Sequence, residues 1–328
     1  MAIFRAILFA LAACLCASAP IIGEAAAETY PSRIIKMIVP FPAGGVLDSI
    51  TRAVSERMKD RINQPVIVEN RAGAGGTIGL EACMKAAPDG YTLCSVTIEQ
   101  MLTLPHLEPA QFERYKNLAP VTQLVGSKGV LFVNPALGIK DVDGLVRLAK
   151  ERPGKLNYAS FGWGSAPHLV FEWLNAENGI DIYHLPHKSA GDMMTEMLGG
   201  RMDASYVAVG FAKPYVDAGK IKPLAVLGRT RSALLPDVPS FAELGLDFPY
   251  EGAWFALMGP PGIDKAVLDK IVTSVRGILA DSDFKQKFLD PQGYVSIGNT
   301  PDEFGAILKN EIDRFDRIVK IAQAKPRR

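Results

Sequence analysis

The stretch IIKMIVPFPAGGVLDSITR, residues 34–52, decides the architecture of this chain. It opens as an apolar run, Ile34 to Phe41, of the kind that makes a strand buried on both faces. It turns at a Pro/Gly corner, Pro42 to Gly45. It then places Val46, Ile50, Val54, Met58 and Ile62 four residues apart, with Arg52, Glu56 and Lys59 elsewhere, which predicts an amphipathic helix. A strand that feeds a helix through a tight corner is the first half of a βαβ unit. The corner holds no obvious nucleophile and no metal-ligand cluster, so what it offers a partner is backbone.

The rhythm continues outward. PVIVEN (65–70) reads as a second strand, GTIGLEACMKAA as a second helix, and PDGYTLCSVT (88–97) as a turn and a third strand. Parallel strands joined by right-handed crossovers follow from that order. The pattern restarts at GVLFVN (129–134) and runs through LNYASFG, IDIYHLPH, RMDASYVAV and IKPLAVLG, with helices between. A proline-rich passage, 234–252, suits a connection between domains, and AWFALMGP (253–260) is one more strand. A helix carrying Val267, Ile271, Val275 and Ile278 follows. In the last helix Thr300, Pro301 and Glu303 make a capping box ahead of an apolar face of Phe304, Leu308, Phe315 and Val319. The prediction is an α/β chain of two lobes, each a mainly parallel sheet flanked by helices. Lobe one takes 28–125 and 251–328, lobe two takes 126–250, and a cleft between them is the natural ligand site.

Residues 1–27 stand apart. Arg5 gives a basic start, AILFALAACLCA is an apolar core too short for a bilayer span, and Ala25 and Ala27 fit an A-x-A cleavage site before Glu28. LAAC, ending at Cys14, offers a competing lipid-attachment reading. Either way the mature chain is expected to be exported, soluble and periplasmic. A net charge of +1 gives no global field for nucleic acid. Of the four cysteines, Cys83 and Cys94 lie outside this leader. They read as two small buried side chains, or as a disulfide permitted by an oxidising compartment; no paired His or Cys-x-x-Cys suggests a metal.

Three glycine corners end strands: PAGG (42–45), RAGAGG (71–76) and FGWGS (161–165). The first turn of each following helix leaves backbone N–H groups unpaired beside the positive end of the helix dipole. Glycine lets a ligand approach them. Facing each other across a cleft, the corners would grip an anion from two sides. No P-loop Gly-Lys-Ser/Thr occurs, and Arg71 and Lys188 are the only nearby cations, so a carboxylate fits better than a phosphate. Two enzyme-like readings are weaker. Gly73, Gly75 and Gly79 give G-x-G-x-x-x-G, with Glu99 downstream, which is not the dinucleotide fingerprint. Ser165 and His168 share a helix face and could serve an exported serine hydrolase, but Trp163 and Pro167 stand where a G-x-S-x-G elbow needs glycine. Capping of the helix by Ser165, with His168 packed in its first turn, is the simpler reading.

From about Tyr30 to Gln323 the chain resembles the extracytoplasmic solute-binding proteins of tripartite tricarboxylate transporters, the Bug family. YPSRIIKMIVPFPAGGVLDSITR, QPVIVENRAGAGGTIG, AAPDGYTL, NYASFGWGSAPHLVFEWL, LLPDVPSFAELG and TPDEF carry the likeness in order. The resemblance implies a type II periplasmic-binding (Venus flytrap) fold, no catalysis, no cofactor, and capture of a small carboxylate for a membrane permease or a sensor. The chain is expected to act as a monomer. Carried over, the family site falls on Phe41, Pro42, Ala43, Gly44 and Gly45, on Ala74, Gly75 and Gly76, on Thr97, and on Ser160, Gly164, Ser165 and Asp203. Asp48 joins them, with fixing of the corner as its competing role. The chain departs from the family at His187, Lys188 and Ser189, where Tyr-Lys-Gly is usual, and at Ala72, where Pro is usual. Phe161 and Trp163 in the third corner suggest aromatic pocket walls and an aromatic or bulky acid.

Overall fold

The computed structural model describes residues 30–248 and 251–323. The leader expected over 1–27, with its alternative lipid site at Cys14, lies outside the described residues. Strand β1 (Ile35–Val39) is buried at every position but Lys36, as its apolar run requires, and helix α1 (Val46–Ile62) follows the corner. Leu47, Ile50, Val54 and Met58 face inward; Val46 stays half exposed, because Leu47 takes the inward place at the first turn. Strands β2 (Val66–Asn70) and β3 (Thr92–Thr97) flank β1 and run parallel to it, with helix α2 (Thr77–Met84) between them in sequence. A disulfide joins Cys83 of α2 to Cys94 of β3 across a Cα–Cα distance of 6.0 Å, the second of the two readings left open above.

Three further strands complete this sheet: β4 (Ala119–Ser127), β10 (Ala253–Gly259) and β11 (Tyr294–Ser296), in the order β11-β4-β10-β3-β1-β2. The pairs β10–β3, β10–β4 and β11–β4 are antiparallel, so the sheet is mixed where a mainly parallel one was expected. The cause is the connectivity. β4 carries the chain out of this sheet and β10 brings it back alongside, which forces opposite directions. β4 itself gave no clear signal in the sequence, since Thr122 and Gln123 interrupt its apolar run. Both are buried, and Asn299 satisfies them: Thr122 Oγ1 donates to its carbonyl at 2.7 Å, and Gln123 N–H donates to its Oδ1 at 2.8 Å.

The second sheet has the order β7-β6-β8-β5-β9, from β5 (Gly129–Val133), β6 (Asn157–Ser160), β7 (Tyr183–Pro186), β8 (Ala204–Ala208) and β9 (Lys222–Val226). β6 pairs parallel with β7 and β8, and β5 pairs antiparallel with β8 and β9. Helices α3 (Val142–Glu151), α4 (Ala166–Asn178) and α5 (Ala190–Leu198) were legible; α6 (Val209–Asp217), which contains Pro214, was not. The two passages between the sheets run side by side, with Ala253 opposite Ser127. Gly252 there has φ +140°, and a Cβ would stand 2.6 Å from the Ser127 carbonyl, so the close approach requires glycine.

Helices α7 (Lys265–Ala280) and α8 (Pro301–Gln323) return to the first sheet. The capping box at the start of α8 is formed as read: Thr300 N–H donates to Glu303 Oε2 at 2.8 Å, and Glu303 N–H to Thr300 Oγ1 at 3.2 Å. Arg317 of α8 reaches Glu177 of α4 at 3.0 Å. The described residues from Arg33 onward form one compact unit, and one apolar cluster runs from Ile38 and Val96 to Leu131, Tyr158 and Phe171. Among the described residues no helix is long and apolar enough to cross a membrane.

Candidate functional site

Because β3, β1 and β2 are neighbours and parallel, their carboxyl ends share one edge. The first corner leaves β1 there, the second leaves β2, and Thr97 ends β3. Ligands of open α/β sheets bind at such edges. In the first corner Pro42, Ala43, Gly44 and Gly45 are exposed and Phe41 is half-buried. Gly45 is the N-cap of α1 and carries no side chain to cap it, so the first-turn amides are not covered by their own helix. The Gly44 amide is different. It donates to Asp48 Oδ2 at 2.9 Å, and is therefore not available in the way the sequence suggested. Asp48 is buried, and it also accepts from Arg52 Nε at 3.0 Å and from Asn70 Nδ2 at 2.8 Å. Asn70 Nδ2 donates in turn to the Phe41 carbonyl at 3.0 Å. Burial pushes the Asp48 carboxyl up, but the hydrogen bonds from Arg52, Gly44 and Asn70 outweigh it and hold it below its ordinary value. All these contacts fix the corner, which is the competing role named for Asp48 above.

The second corner is a run of left-handed backbone: Gly73, Ala74, Gly75 and Gly76 have φ of +133°, +46°, +65° and +98°. Ala74 is the exception among glycines and holds a conformation that an L side chain resists. The corner is pressed against the first one. A Cβ at Gly76 would stand 2.2 Å from Gln100 Nε2 and 3.3 Å from Pro40, and one at Gly79 would stand 3.0 Å from the Pro40 Cα. Gln100 is 2% exposed; its Oε1 accepts from Thr97 N–H at 3.1 Å, and its Nε2 has no hydrogen-bond partner. A buried donor thus lies unpartnered against the glycine corner. Arg71 is turned to Glu69, which leaves the corner to amides.

The third corner leaves β6. Ser160, fully buried, accepts from Gly162 N–H at 2.9 Å and lies 2.5 Å from His184 Nε2. Burial, with repulsion from His187, lowers the His184 pKa to about 4, so the imidazole that shares a hydrogen bond with the Ser160 hydroxyl is neutral. Ser165 is the N-cap of α4, but its hydroxyl donates to the Gly162 carbonyl at 2.6 Å instead of capping the helix. His168 is buried, and its Nδ1 accepts from Gly164 N–H at 3.3 Å. Ser165 and His168 are therefore not joined by the nucleophile–base hydrogen bond that a hydrolase needs. Phe161 is 46% exposed, whereas the Trp163 ring packs tilted against His168, with centroids 4.6 Å apart. Only Phe161 of the two rings stands well into solvent.

A five-residue π-helical turn, Glu99–Thr103, links the corners. Its Gln100 serves the second corner. Its Thr103 packs against the third, where a Cβ at Gly164 would stand 3.4 Å from Thr103 Cγ2 and 2.3 Å from Leu107 Cδ1. Thr103 is buried and its hydroxyl is unpartnered. Burial pushes the Glu99 carboxyl up, against its own backbone amide and the Thr97 side chain, and its charge bears on Tyr206 of β8. The sequence reading reached Thr97 and stopped. The signal for the rest was the polar pair Glu99-Gln100 inside an otherwise apolar stretch. Asp203 is the one candidate placed elsewhere. It exchanges hydrogen bonds of 2.9 and 3.1 Å with Asn157 at the start of β6, at the opposite end of the sheet from Ser160. Parallel pairing of β6 with β8 imposes this, since Tyr158 lies opposite Ala204.

Comparison with known proteins accords with this architecture. Residues 50–323 match the model of the tripartite tricarboxylate transporter family receptor. Protein BugT of Bordetella pertussis is 34% identical over 94% of this chain and 95% of its own length. The structure of periplasmic binding protein BugD is similar at a TM-score of 0.74 and 29% identity, covering 90% of this chain and 99% of that one. A Rhodopseudomonas palustris protein solved with adipate is similar at a TM-score of 0.77 and 27% identity, covering 90% and 98%.

Proposed function

This chain belongs to the tripartite tricarboxylate transporter receptor family, and from that premise we propose that it captures a small organic carboxylate in the periplasm and delivers it to a membrane permease, without turnover. The observation that carries the reading is Gln100 Nε2, a buried donor left unpartnered against the Gly76 corner. An anion seated there would complete the bonding of Gln100 and meet the first-turn amides of α1. Adipate in the R. palustris relative supports a carboxylate as the class of ligand. Lobe one would hold the carboxylate with residues 28–125 and 251–328, and lobe two, residues 126–250, would close over it with Ser165 and Gly164. Two-sided contact supplies the differential affinity that closure needs.

The test is thermal unfolding against a library of organic acids. An acid at a hundred times its dissociation constant adds about 2.7 kcal/mol to the folded state. The same acid should give no shift with Gly76→Ala, whose Cβ would occupy the space beside Gln100 Nε2. A library in which no carboxylate raises the unfolding temperature would end the proposal.

A further inference from the structure

Two helices of the second sheet start alike and meet different surroundings. α5 follows β7 and α6 follows β8. Both strands run parallel to β6, so both helices begin at the edge where the third corner leaves β6. Each has glycine as its second residue, Gly191 in α5 and Gly210 in α6. Alanine is the better helix former, so a glycine there needs another reason. At Gly191 a Cβ has room, with the Ser189 hydroxyl at 3.7 Å. At Gly210 a Cβ would stand 2.3 Å from the Gln292 carbonyl oxygen, 2.7 Å from its carbon and 2.8 Å from the Gln292 Cα. These are backbone atoms of the turn Asp290–Gln292, which leads into β11 of the first sheet, and they cannot swing aside as a side chain can. The contact continues at Gly293 (φ +66°), where a Cβ would stand 2.8 Å from Leu234 Cδ1 in the proline-rich passage. It also lies beside the first corner, since Gln292 lines a cavity of about 310 Å³ together with Gly44, Val46 and Ile50. Val209 N–H donates to the Lys128 carbonyl at 2.9 Å, which fixes the start of α6 to the passage between the two sheets.

We propose that Gly210 is a positioning residue for ligand capture: it is the seat on which lobe one lands as the cleft closes, and it touches no ligand itself. The proposal rests on the capture reading above. Closure turns about the passage between the sheets, so a methyl wedged at Gly210 holds the third corner away from the first and second. Every ligand then meets a protein whose closed form is less populated, and all affinities fall by one factor, whatever the ligand's shape. A residue in contact with the ligand would instead shift different acids by different factors.

The test compares the mature protein with Gly210→Ala and Gly191→Ala, using adipate, malate and the two acids that most raise the parent's unfolding temperature. Titration calorimetry should show Gly210→Ala binding every acid that binds the parent at least fivefold more weakly, by one factor to within about twofold. Gly191→Ala, the matched change with room for its methyl, should stay within about twofold of the parent. Small-angle scattering at saturating acid should show the parent contracting and Gly210→Ala contracting less. Without acid, Gly210→Ala should unfold at the parent's temperature or above, because alanine favours the helix and the seat is open. Unchanged affinity in Gly210→Ala, a loss confined to some acids, or an equal loss in Gly191→Ala would each overturn the assignment while leaving carboxylate capture standing. So would a lowered unfolding temperature without acid, or a variant that does not fold, since the contact is then permanent packing. If no acid binds the parent, the carboxylate reading falls and this assignment with it.

Discussion

The first and third glycine corners look alike in sequence and are held by opposite means. In the first, Asp48 reaches back from one turn inside α1, and a charged network of Arg52 and Asn70 surrounds it. In the third, Ser160 reaches forward from the last position of β6, and its partner is a neutral imidazole. An ionic lock at a helix N-terminus is favoured by the dipole but consumes the Gly44 amide. A neutral lock places no charge near α4. The first corner is held by a buried carboxylate whose charge Arg52 balances. Phe161 of the third corner stands exposed.

Breaking the ionic lock should be the most damaging change. Asp48→Ala removes hydrogen bonds from Gly44, Arg52 and Asn70 and should cost about 2–3 kcal/mol in urea unfolding, with a matching loss of ligand affinity. The Arg52 side chain is 49% exposed and can turn to water, so the loss should stay below the about 3–5 kcal/mol of a fully buried pair. An unchanged unfolding midpoint would show that the network is ornamental.

Ser160→Ala should cost less, about 1–2 kcal/mol, since it strands the Gly162 amide and His184 Nε2, both neutral. Ser160→Thr, which restores a hydroxyl, should recover part of it if the site admits the extra methyl. Equal costs for the Asp48 and Ser160 variants would erase the distinction between the two locks.

The smallest difference at neutral pH becomes visible on acidification. His184 has an ordinary value of 6.5 and stands at about 4 in the folded chain. As pH falls from about 6.5 to about 4, the unfolded chain takes up a proton that the folded chain refuses, so stability is lost over that window. Asp48 is also depressed, from 3.8, and its contribution survives until pH falls through its lower folded value. The third corner should thus weaken first. Unfolding midpoints between pH 7 and 4 should fall in the parent protein and fall less in His184→Gln, whereas Asp48→Asn should leave that slope in place.

The alternation of apolar runs and amphipathic stretches was enough to read the βαβ units, because each unit buries its own periodic faces. The corners were legible for the same local reason: glycine at a strand–helix turn has few other uses. Helix α6 escaped because Pro214 reads as a break, and β4 because its polar residues find their partner in Asn299, far along the chain.

What the sequence determined by itself is therefore what neighbours in the chain decide: strand, turn, helix, capping box, and the family to which their order belongs. What only the tertiary structure decided is how groups distant in the chain share space. Asp48 became a lock because Asn70 and Gly44 converge on it. Asp203 stands apart from Ser160 because β6 and β8 pair in parallel, which sets it beside Asn157. Gln100 and Thr103 meet different corners because one short turn spans the distance between them. Backbone periodicity is a local property of the chain; the bonding and charge of a buried group depend on every element packed around it.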